Sequence, residues 1–277
     1  MVSGRTILVT GAGGSIGSAL AKAIVRLGPR HLVLLDHSER NLHEVHTDLS
    51  IMGGTSYTPV LGDVCDVKLV TELVEQYQPE LVYHAAAFKH VPLMETNPFA
   101  AVRNNAIGTA SLAQVCQAHG VPTLVVVSTD KAVNPISIMG ASKRIAELAI
   151  LNLNSSRNRM SAIRLGNVLG SQGSVVPAFV AQIERGGPVT VAHPDISRYF
   201  LTMAEAVELI LLASKLSDDG GIFVPRLSAP VRILQIAHEM IDSARSESPN
   251  DVSVLFTGLR PGDKMSEEFL YQDEFAE

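Results

Sequence analysis

Hydrophobic and polar residues follow two alternating patterns through the first 165 positions of the chain. Short apolar runs rich in β-branched residues predict buried strands at 6–10, 31–36, 56–61, 81–84, 124–127 and 162–165. The stretches between them carry apolar residues at helical spacing, most clearly at 18–27 and 98–118. Strands that alternate with helices usually pair in parallel, with helices covering both faces of the sheet. The pattern therefore predicts an α/β fold with a doubly wound parallel sheet.

After residue 165 the regular alternation stops. The segment GNVLGSQGSVVPAF leaves the sheet, and residues 186–193 have the pattern of a short hairpin. A helix at 203–215 and a seventh strand at 222–224 then return to the first pattern. We therefore expect a small substrate-binding lobe that is interleaved in sequence with the sheet domain. The expected division is 1–165 and 201–225 for the sheet domain, and 166–200 and 226–277 for the lobe.

A glycine-rich loop, GAGGSIG, joins the first predicted strand to the first helix. Glycines let the backbone turn tightly and approach a pyrophosphate, which the helix N-terminus attracts. Asp36 ends the next strand, where a carboxylate accepts hydrogen bonds from a ribose 2′-hydroxyl and repels a 2′-phosphate; nearby Arg40 weakens the second part of that argument. The arrangement predicts a Rossmann-type dinucleotide site that prefers NAD to NADP. Its expected residues are Gly11, Gly14, Ser15, Ile16, Gly17, Asp36 and Arg40.

Further candidates for the cofactor site follow the third and fourth strands. Asp63 and Val64 would hold an adenine ring, or else belong to the cap of the next helix. The small side chains of Ala85, Ala86 and Ala87 would let a cofactor lie against the backbone. Asn105 interrupts an apolar helix, and a buried amide needs hydrogen-bond partners. It either ties strand to helix or orders the crevice at the strand ends.

The stretch VVVSTDKAVNPISIMGASK carries the candidate chemistry. Its apolar half predicts a buried strand that ends at Thr129, Asp130 and Lys131, and ligands bind at the carboxyl ends of the strands in open α/β sheets. Met139 and Lys143 are four residues apart on the following helix, so they share the face towards the same crevice. The alternatives are a polar strand end with an ion pair for the triplet and a solvated surface position for Lys143.

Composition narrows the possible partners and location. The chain has 22 Lys and Arg against 28 Asp and Glu, with no basic stripe, so no nucleic-acid partner is expected. Cys65 and Cys116 form no C-x-x-C pair, no signal-like segment follows Met1, and the apolar runs are too short for a membrane span. We therefore expect a cytoplasmic protein that forms a homo-oligomer. His43 and His46 lack further ligands at matching spacing, so no metal site is predicted.

Taken in order, the motifs resemble those of the extended short-chain dehydrogenase/reductase superfamily. They are most similar to the polysaccharide-biosynthesis nucleotide-sugar 4,6-dehydratases that act on UDP-N-acetylglucosamine. The motifs that carry the resemblance are GAGGSIG, LLDHSE, GDV, HAAAFKHVPLMETNP, STDKAVNP, MGASK, RLGNVLGSQGSV and LRPGDK. The resemblance implies bound NAD and a UDP-sugar substrate. Many such relatives carry N-terminal membrane spans that this chain lacks, so a short member or an excised catalytic domain is expected.

The resemblance also implies roles for individual residues. Thr129, Asp130 and Lys131 would lie in the dehydratase active site, and Lys143 would contact the nicotinamide ribose. Lys131 would remove the carbon 5 proton, while a protonated Asp130 would protonate the departing carbon 6 hydroxyl. The residues expected to bind the substrate are Lys89, Asn167, Ser174 and Val175, with Arg198 and Arg260 clamping the pyrophosphate.

Met139 departs from the pattern of the superfamily, which usually has a tyrosine four residues before the lysine. A thioether is a poor proton acceptor, so the base for the oxidised hydroxyl would be Thr129 or an ordered water, and Met139 would fill space. Two other function classes stay open. A nucleotide-sugar epimerase or dehydrogenase would share the cofactor half without needing Asp130 and Lys131, and a catalytically silent sugar-nucleotide-binding module would also fit Met139.

Overall fold

The computed structural model describes residues 2–216, 219–226, 229–245, 252–272 and 274. Its centre is a seven-stranded sheet in which all neighbouring strands run parallel. The strands of this sheet are β1 (Thr6–Thr10), β2 (His31–Asp36), β3 (Tyr57–Leu61), β4 (Leu81–His84), β5 (Thr123–Thr129), β6 (Arg159–Leu165) and β11 (Gly221–Phe223). Their spatial order is β3-β2-β1-β4-β5-β6-β11, which reverses direction between β1 and β4. The predicted doubly wound Rossmann-type α/β fold is confirmed.

Helices cover both faces of this sheet, and each face has its own apolar core. In β1, Ile7 and Val9 face one core while Leu8 faces the other, as the two-residue period of a strand requires. The longer helices are α1 (Ser15–Arg26), α2 (Glu39–Met52), α3 (Val67–Tyr77), α6 (Thr109–Ala118), α7 (Ile138–Leu153) and α9 (Met203–Leu216), and two short helices are α4 (Val91–Thr96) and α5 (Pro98–Ala101). Among the described residues, no helix is both long and apolar enough to cross a membrane.

The helix expected at 98–118 is divided into three parts. Between α5 and α6, residues Val102–Gly108 form a π-helical segment. A π-helical turn widens the helix, and such turns are frequent at functional sites. This one contains Asn104 and Asn105, which are both buried. The expected apolar helix thus holds its two amides at an irregular turn.

The lobe consists of short elements around a small core of its own. Its strands form three two-stranded sheets: β7 with β10, β9 with β12, and β8 with β13. The elements are β7 (Asn167–Val168), α8 (Val175–Glu184), β8 (Val189–Val191), β9 (Ser197–Arg198), β10 (Phe200–Leu201), β12 (Val231–Arg232), α10 (Ile233–Arg245) and β13 (Val254–Phe256). The prediction of a hairpin at 186–193 is wrong. β8 is a single strand there, and it pairs in parallel with β13 from far along the chain.

Two segments that follow the start of the lobe in sequence pack in the sheet domain. α9 adds Ala206 and Ile210 to one of the two sheet cores, and β11 extends the sheet beside β6. The C-terminal residues also return, because Glu274 pairs with Arg164 of β6. The division at 201–225 fits these contacts, whereas the last part of 226–277 contacts the sheet domain as well as the lobe. The division into two domains stays a prediction.

A buried ion pair ties together β6, α7 and the C-terminal segment. The Arg164 side chain is fully buried and donates two parallel hydrogen bonds to the Glu147 carboxylate, at 3.0 and 2.9 Å. Its other edge donates to both oxygens of Glu274 and to the Phe269 carbonyl. Burial alone would lower the pKa of Arg164, but its hydrogen bonds to Glu147 and Glu274 raise it above its usual value. Arg144 also donates to Glu147, at 2.9 Å.

We expect Arg164→Ala to lower the free energy of unfolding by about 3–5 kcal/mol, because it leaves a buried carboxylate without its main partner. The measurement is urea unfolding followed by circular dichroism at neutral pH. Arg157→Ala is the control, because Arg157 is exposed and the same change should cost less than about 0.5 kcal/mol. Equal effects for the two variants would show that the buried pair does not hold the C-terminal half together.

Candidate active site

A cavity of about 470 Å³ opens at the carboxyl ends of the parallel strands. Its walls come from the loops after β1, β4 and β5, from α7, and from the segment that follows β6. It therefore lies where the strand order reverses, the position at which open α/β sheets bind their ligands. The expected residues that line it are Gly11, Gly14, Ser15, Ile16, Gly17, Asp36, Ala85, Ala86, Ala87, Lys89, Thr129, Lys131, Met139, Lys143, Asn167 and Ser174.

The glycine loop has the close contacts that its sequence predicts. Gly11 has a φ of +68°, and a Cβ there would lie 2.5 Å from the Ala86 nitrogen. A Cβ on Gly17 would collide with the Gly11 carbonyl oxygen. Gly14 precedes α1, and no side chain caps that helix. The backbone N–H groups at the start of α1 are thus available to an anionic ligand in the cavity.

Asp36 holds the glycine loop from the end of β2. Its carboxylate accepts hydrogen bonds from the backbone N–H groups of Gly13 and Ser38, both at 2.8 Å. Each oxygen keeps a lone pair for a ligand in the cavity, because a carboxylate oxygen accepts two hydrogen bonds. Arg40 does not line the cavity. Its side chain is exposed on α2, where it pairs with Glu44 at 3.1 Å.

Asp63 and Val64 lie outside the cavity lining, contrary to the expected adenine contact. The Asp63 carboxylate accepts from the Cys65 N–H at 2.9 Å, and Val64 packs in the core beneath α3 and α6. The alternative of a local turn ahead of α3 therefore agrees better with their contacts. Asn41 and His37 also line the cavity beside Asp36, although no sequence motif indicated them.

Asn105 contacts the wall of the cavity from behind and does not line it. Its amide donates to the Phe88 carbonyl and to Ser142, and its oxygen accepts from the Phe88 N–H and from Asn104. These four hydrogen bonds use the whole amide, which leaves none for a cofactor. Asn105 thus ties the loop after β4 to α7, the first of the two alternatives, while its neighbour Asn104 reaches the cavity.

His84 lies beneath the cavity in a closed hydrogen-bond chain. The Thr109 hydroxyl donates to the Asn105 carbonyl at 2.7 Å, so it accepts from His84 Nε2 at 2.8 Å. His84 Nδ1 must then accept from the Thr10 hydroxyl, at 2.6 Å. Burial, together with the nearby Lys143 charge, lowers the pKa of His84 to about 3. The ring is therefore neutral and structural at physiological pH.

Thr129, Asp130 and Lys131 form a connected group at the end of β5. The Thr129 hydroxyl and the Lys131 amine both donate to Asp130 Oδ1, each at 2.9 Å. Asp130 is fully buried, and its Oδ2 has no hydrogen-bond partner among the described residues. Thr129 and Lys131 line the cavity, whereas Asp130 lies behind them.

Two residues from elsewhere complete the surroundings of Lys131. Asn167, which begins β7, accepts from the amine through Oδ1 at 3.2 Å. Glu267, from the C-terminal segment, places Oε1 at 3.5 Å from the same nitrogen. The sequence pointed to Asn167 but not to Glu267. Glu267 follows the motif LRPGDK in sequence, and this was the only feature that could have suggested it as a site residue. No local sequence pattern connects that motif to Lys131.

Met139 and Lys143 share one face of α7, as predicted, and both line the cavity. Met139 packs with Val91, Met94 and Ala101 in a small apolar cluster. Burial lowers the pKa of Lys143 to about 8, against the opposing effect of Glu147. Lys143 is therefore easier to deprotonate than an exposed lysine. Ser128, which the sequence did not single out, also lines the cavity and donates to Glu147 at 2.6 Å.

The residues expected to bind substrate fall into two groups. Lys89 and Ser174 line the cavity, and the Ser174 hydroxyl is buried without a partner within the described chain. Val175 begins α8 just outside the lining. Arg198 is buried elsewhere and donates to the carbonyls of Ser197, Lys264 and Met265, while Arg260 pairs with Asp263 at 2.9 Å. Neither arginine is placed to clamp a ligand in this cavity.

No group of three or more His, Cys, Asp or Glu side chains in the described part of the chain is placed to hold a metal ion. The polar groups at the site include two lysines, a buried carboxyl group and several hydroxyl groups. Such a set can exchange protons with a ligand, and the glycine loop beside it can hold a diphosphate.

Relatives of the chain include a polysaccharide biosynthesis protein, a nucleotide-sugar dehydratase and a nucleotide-sugar epimerase. A capsular polysaccharide biosynthesis protein CapD from Staphylococcus aureus is 45% identical over 99% of this chain, and the chain spans 46% of that relative's length. A UDP-N-acetylglucosamine 4,6-dehydratase (inverting) from Campylobacter jejuni is 30% identical over 99% of this chain and 80% of its own length. A UDP-glucose 4-epimerase from Rickettsia rickettsii is 31% identical over 98% of this chain and 79% of its own length.

A solved structure of similar fold is that of Pen from Bacillus thuringiensis. It is 28% identical, with a TM-score of 0.93 over 99% of this chain and 84% of the Pen chain. The model of one protein family matches nearly the whole sequence, from residue 7 to residue 277. With its Rossmann-type sheet, its glycine loop and its Thr-Asp-Lys group at one cavity, the chain belongs to the polysaccharide biosynthesis protein family.

Proposed function

We propose that the chain acts as an NAD-dependent nucleotide-sugar 4,6-dehydratase on UDP-N-acetylglucosamine. The product would be a 4-keto-6-deoxy sugar nucleotide used to build surface polysaccharide or glycan. One observation carries the proposal: the Lys131 amine lies at the cavity, held by Asp130 at 2.9 Å and by Asn167 at 3.2 Å. An amine beside a buried carboxylic acid supplies the base and the acid that elimination of water requires.

The residues of the glycine loop fit a dinucleotide. A Cβ on Gly11 or Gly17 would collide with the backbone of Ala86 or Gly11, so the tight turn requires glycine there, and the uncapped start of α1 faces the same cavity. The Asp36 carboxylate has free lone pairs for a ribose hydroxyl and would repel a 2′-phosphate, which favours NAD. When bound, NAD would accept a hydride from the sugar and return it.

Thr129 is suited to receive the proton of the sugar hydroxyl. Its own hydroxyl proton points to Asp130 Oδ1 and one lone pair accepts from the Lys131 backbone N–H at 3.4 Å, so the other lone pair is left for the hydroxyl that is oxidised. Asp130 then becomes protonated, the state that it needs to act as the acid. This role for Thr129 removes the need for a tyrosine at position 139.

In its neutral form, Lys131 would remove the proton from carbon 5 of the sugar once a ketone at carbon 4 has acidified it. Asp130, which lies behind the cavity lining, would then pass its proton through the Thr129 hydroxyl to the departing hydroxyl of carbon 6. Lys143, with its lowered pKa, would hold the sugar and ribose hydroxyls at the oxidised centre. Met139 would exclude water beside them, because its side chain is only 3% exposed and packs against Met94 and Val91.

The relatives at about 30% identity include both a dehydratase and an epimerase, so sequence identity does not distinguish the two activities. The side chains at the cavity are the better criterion. An epimerase has no use for a lysine base paired with a buried acid at carbon 5 and carbon 6.

We also propose a cytoplasmic location and a homo-oligomer. The free thiols of Cys65 and Cys116 are compatible with a reducing compartment.

The proposal predicts that incubation with UDP-N-acetylglucosamine yields a product lighter by one water. Mass spectrometry of the nucleotide-sugar fraction measures this directly. An isomer of unchanged mass, resolved by chromatography, would instead favour the epimerase. An unchanged substrate that still binds would favour a silent binding module.

Lys131→Ala should slow exchange of the carbon 5 proton with solvent about 10²- to 10⁴-fold, the usual effect of losing a general base. The readout is deuterium uptake at carbon 5 in deuterated water. Lys22→Ala is the control, because Lys22 pairs with Asp48 on the surface, away from the cavity. Exchange at the wild-type rate in Lys131→Ala would move the role of base to Asp130.

Asp36 should make the protein prefer NAD to NADP, and Asp36→Asn should reduce that preference about tenfold or more by removing the charge that repels a 2′-phosphate. Calorimetric titration with each cofactor measures the ratio. Arg40→Ala should leave the ratio unchanged, because that side chain is exposed and pairs with Glu44. Recovery of mainly NADP from denatured wild-type protein would contradict the assignment.

A further inference from the structure

A carboxylate from the far end of the chain reaches the candidate catalytic group. Glu267 lies in the C-terminal segment, and its side chain is only 3% exposed. Oε1 is 3.5 Å from the Lys131 nitrogen and 3.7 Å from Arg198 Nε, while Oε2 is 4.0 Å from Lys264 Nζ. Oε2 makes no hydrogen bond with the described residues. Glu267 is thus buried among three cations, one of which lines the cavity.

The contacts around Lys131 match the donors of an ammonium group. An ammonium has three N–H donors, and three oxygens surround this one: Asp130 Oδ1 at 2.9 Å, Asn167 Oδ1 at 3.2 Å and Glu267 Oε1 at 3.5 Å. Glu267 makes the longest of these contacts. It is therefore the contact most easily given up by the neutral amine, which has two N–H donors and a lone pair for a substrate.

The C-terminal segment is fastened along the turn that carries Lys131. Lys264 donates to the Val133 carbonyl at 2.7 Å, and Tyr271 donates to the Ala132 carbonyl at 2.8 Å. Glu268 accepts from the Asn134 amide at 3.1 Å. The partly buried contacts of Lys264 and Tyr271 hold Glu267 against Lys131, whereas the contact of Glu268 is exposed. The site is therefore built from both ends of the chain.

The charges that face Lys131 come from several elements. Asp130 is on its own turn, and Glu267 is balanced on its other side by Arg198 of β9 and by Lys264. Lys143 and Lys89 line the same cavity. Without Glu267, the positive charges of Arg198 and Lys264 would face Lys131 unbalanced. The protonated amine would then be destabilised and would also lose its third contact.

We propose that Glu267 is a positioning residue of the dehydratase, which fixes the Lys131 amine and stabilises the positive charge that the amine gains when it removes the carbon 5 proton. The inference rests on the proposed function. It predicts that Glu267→Gln lowers the maximal rate of carbon 5 exchange about 10- to 100-fold, the effect of misplacing a reacting group by about 1 Å. The KM for UDP-N-acetylglucosamine should change little, since Glu267 does not line the cavity.

The split between rate and KM is a readout that a merely structural role would not give, because a general loss of folding would lower the rate of every step and weaken binding as well. Glu268→Gln is the matched control. It makes the same change at the next residue, whose side chain is 54% exposed and contacts Asn134 and Lys264 but not Lys131.

The experiment follows deuterium uptake at carbon 5 of UDP-N-acetylglucosamine over a range of substrate concentrations in the wild type and both variants, with folding checked by circular dichroism. A lower plateau rate at saturating substrate with an unchanged KM, in Glu267→Gln alone, supports the proposal. A raised KM with an unchanged plateau rate, or equal behaviour of the two variants, overturns it. If Glu267→Gln does not fold, Glu267→Asp is compared with Glu268→Asp, and equal plateau rates overturn the proposal.

Failure of the proposed function is distinguishable from failure of the inference. A wild-type protein that exchanges no proton at carbon 5 overturns the dehydratase assignment and the inference with it. Wild-type exchange that is unaffected by Glu267→Gln overturns only the role of Glu267.

Discussion

The arrangement of the candidate site depends on the buried ion pair between Glu147 and Arg164. Glu147 belongs to α7, the helix that carries Met139 and Lys143, and Arg164 belongs to β6. Ser128, at the cavity, donates to the same carboxylate, and Glu274 binds the far edge of the guanidinium. One charge pair thus sets the distance between helix, strand and C-terminal segment. Because both charges are buried, losing either one leaves the other without its main partner.

Charge balance explains how several cations can lie close to one cavity. Lys143 is deeply buried, and its lowered pKa lets it give up its proton at modest cost. Lys131 keeps oxygen partners on three sides instead. The two lysines are therefore held in different ways, and different environments are what allow two similar groups to play different chemical roles.

Met139 shows how a site can change one residue and keep its geometry. The thioether fills an apolar corner with Met94 and Val91, while the hydroxyl of Thr129 is already directed at Asp130. In the proposed reaction, Thr129 of β5 would accept the proton of the sugar hydroxyl without a contribution from α7. The position of Lys143 does not depend on Met139 either, because Glu147 fixes the same helix to β6.

The sequence by itself determined the parallel sheet, the glycine loop and the place of Thr129, Asp130 and Lys131, because strand period, glycine spacing and strand ends are local features of the chain. Only the tertiary structure decided which distant side chains meet them. Arg198 donates to backbone carbonyls and does not face the cavity, and β8 pairs with β13 instead of forming a hairpin. Glu267 lies beside Lys131. These contacts join residues far apart in sequence. Their partners are chosen by the packing of whole elements, which no local pattern records.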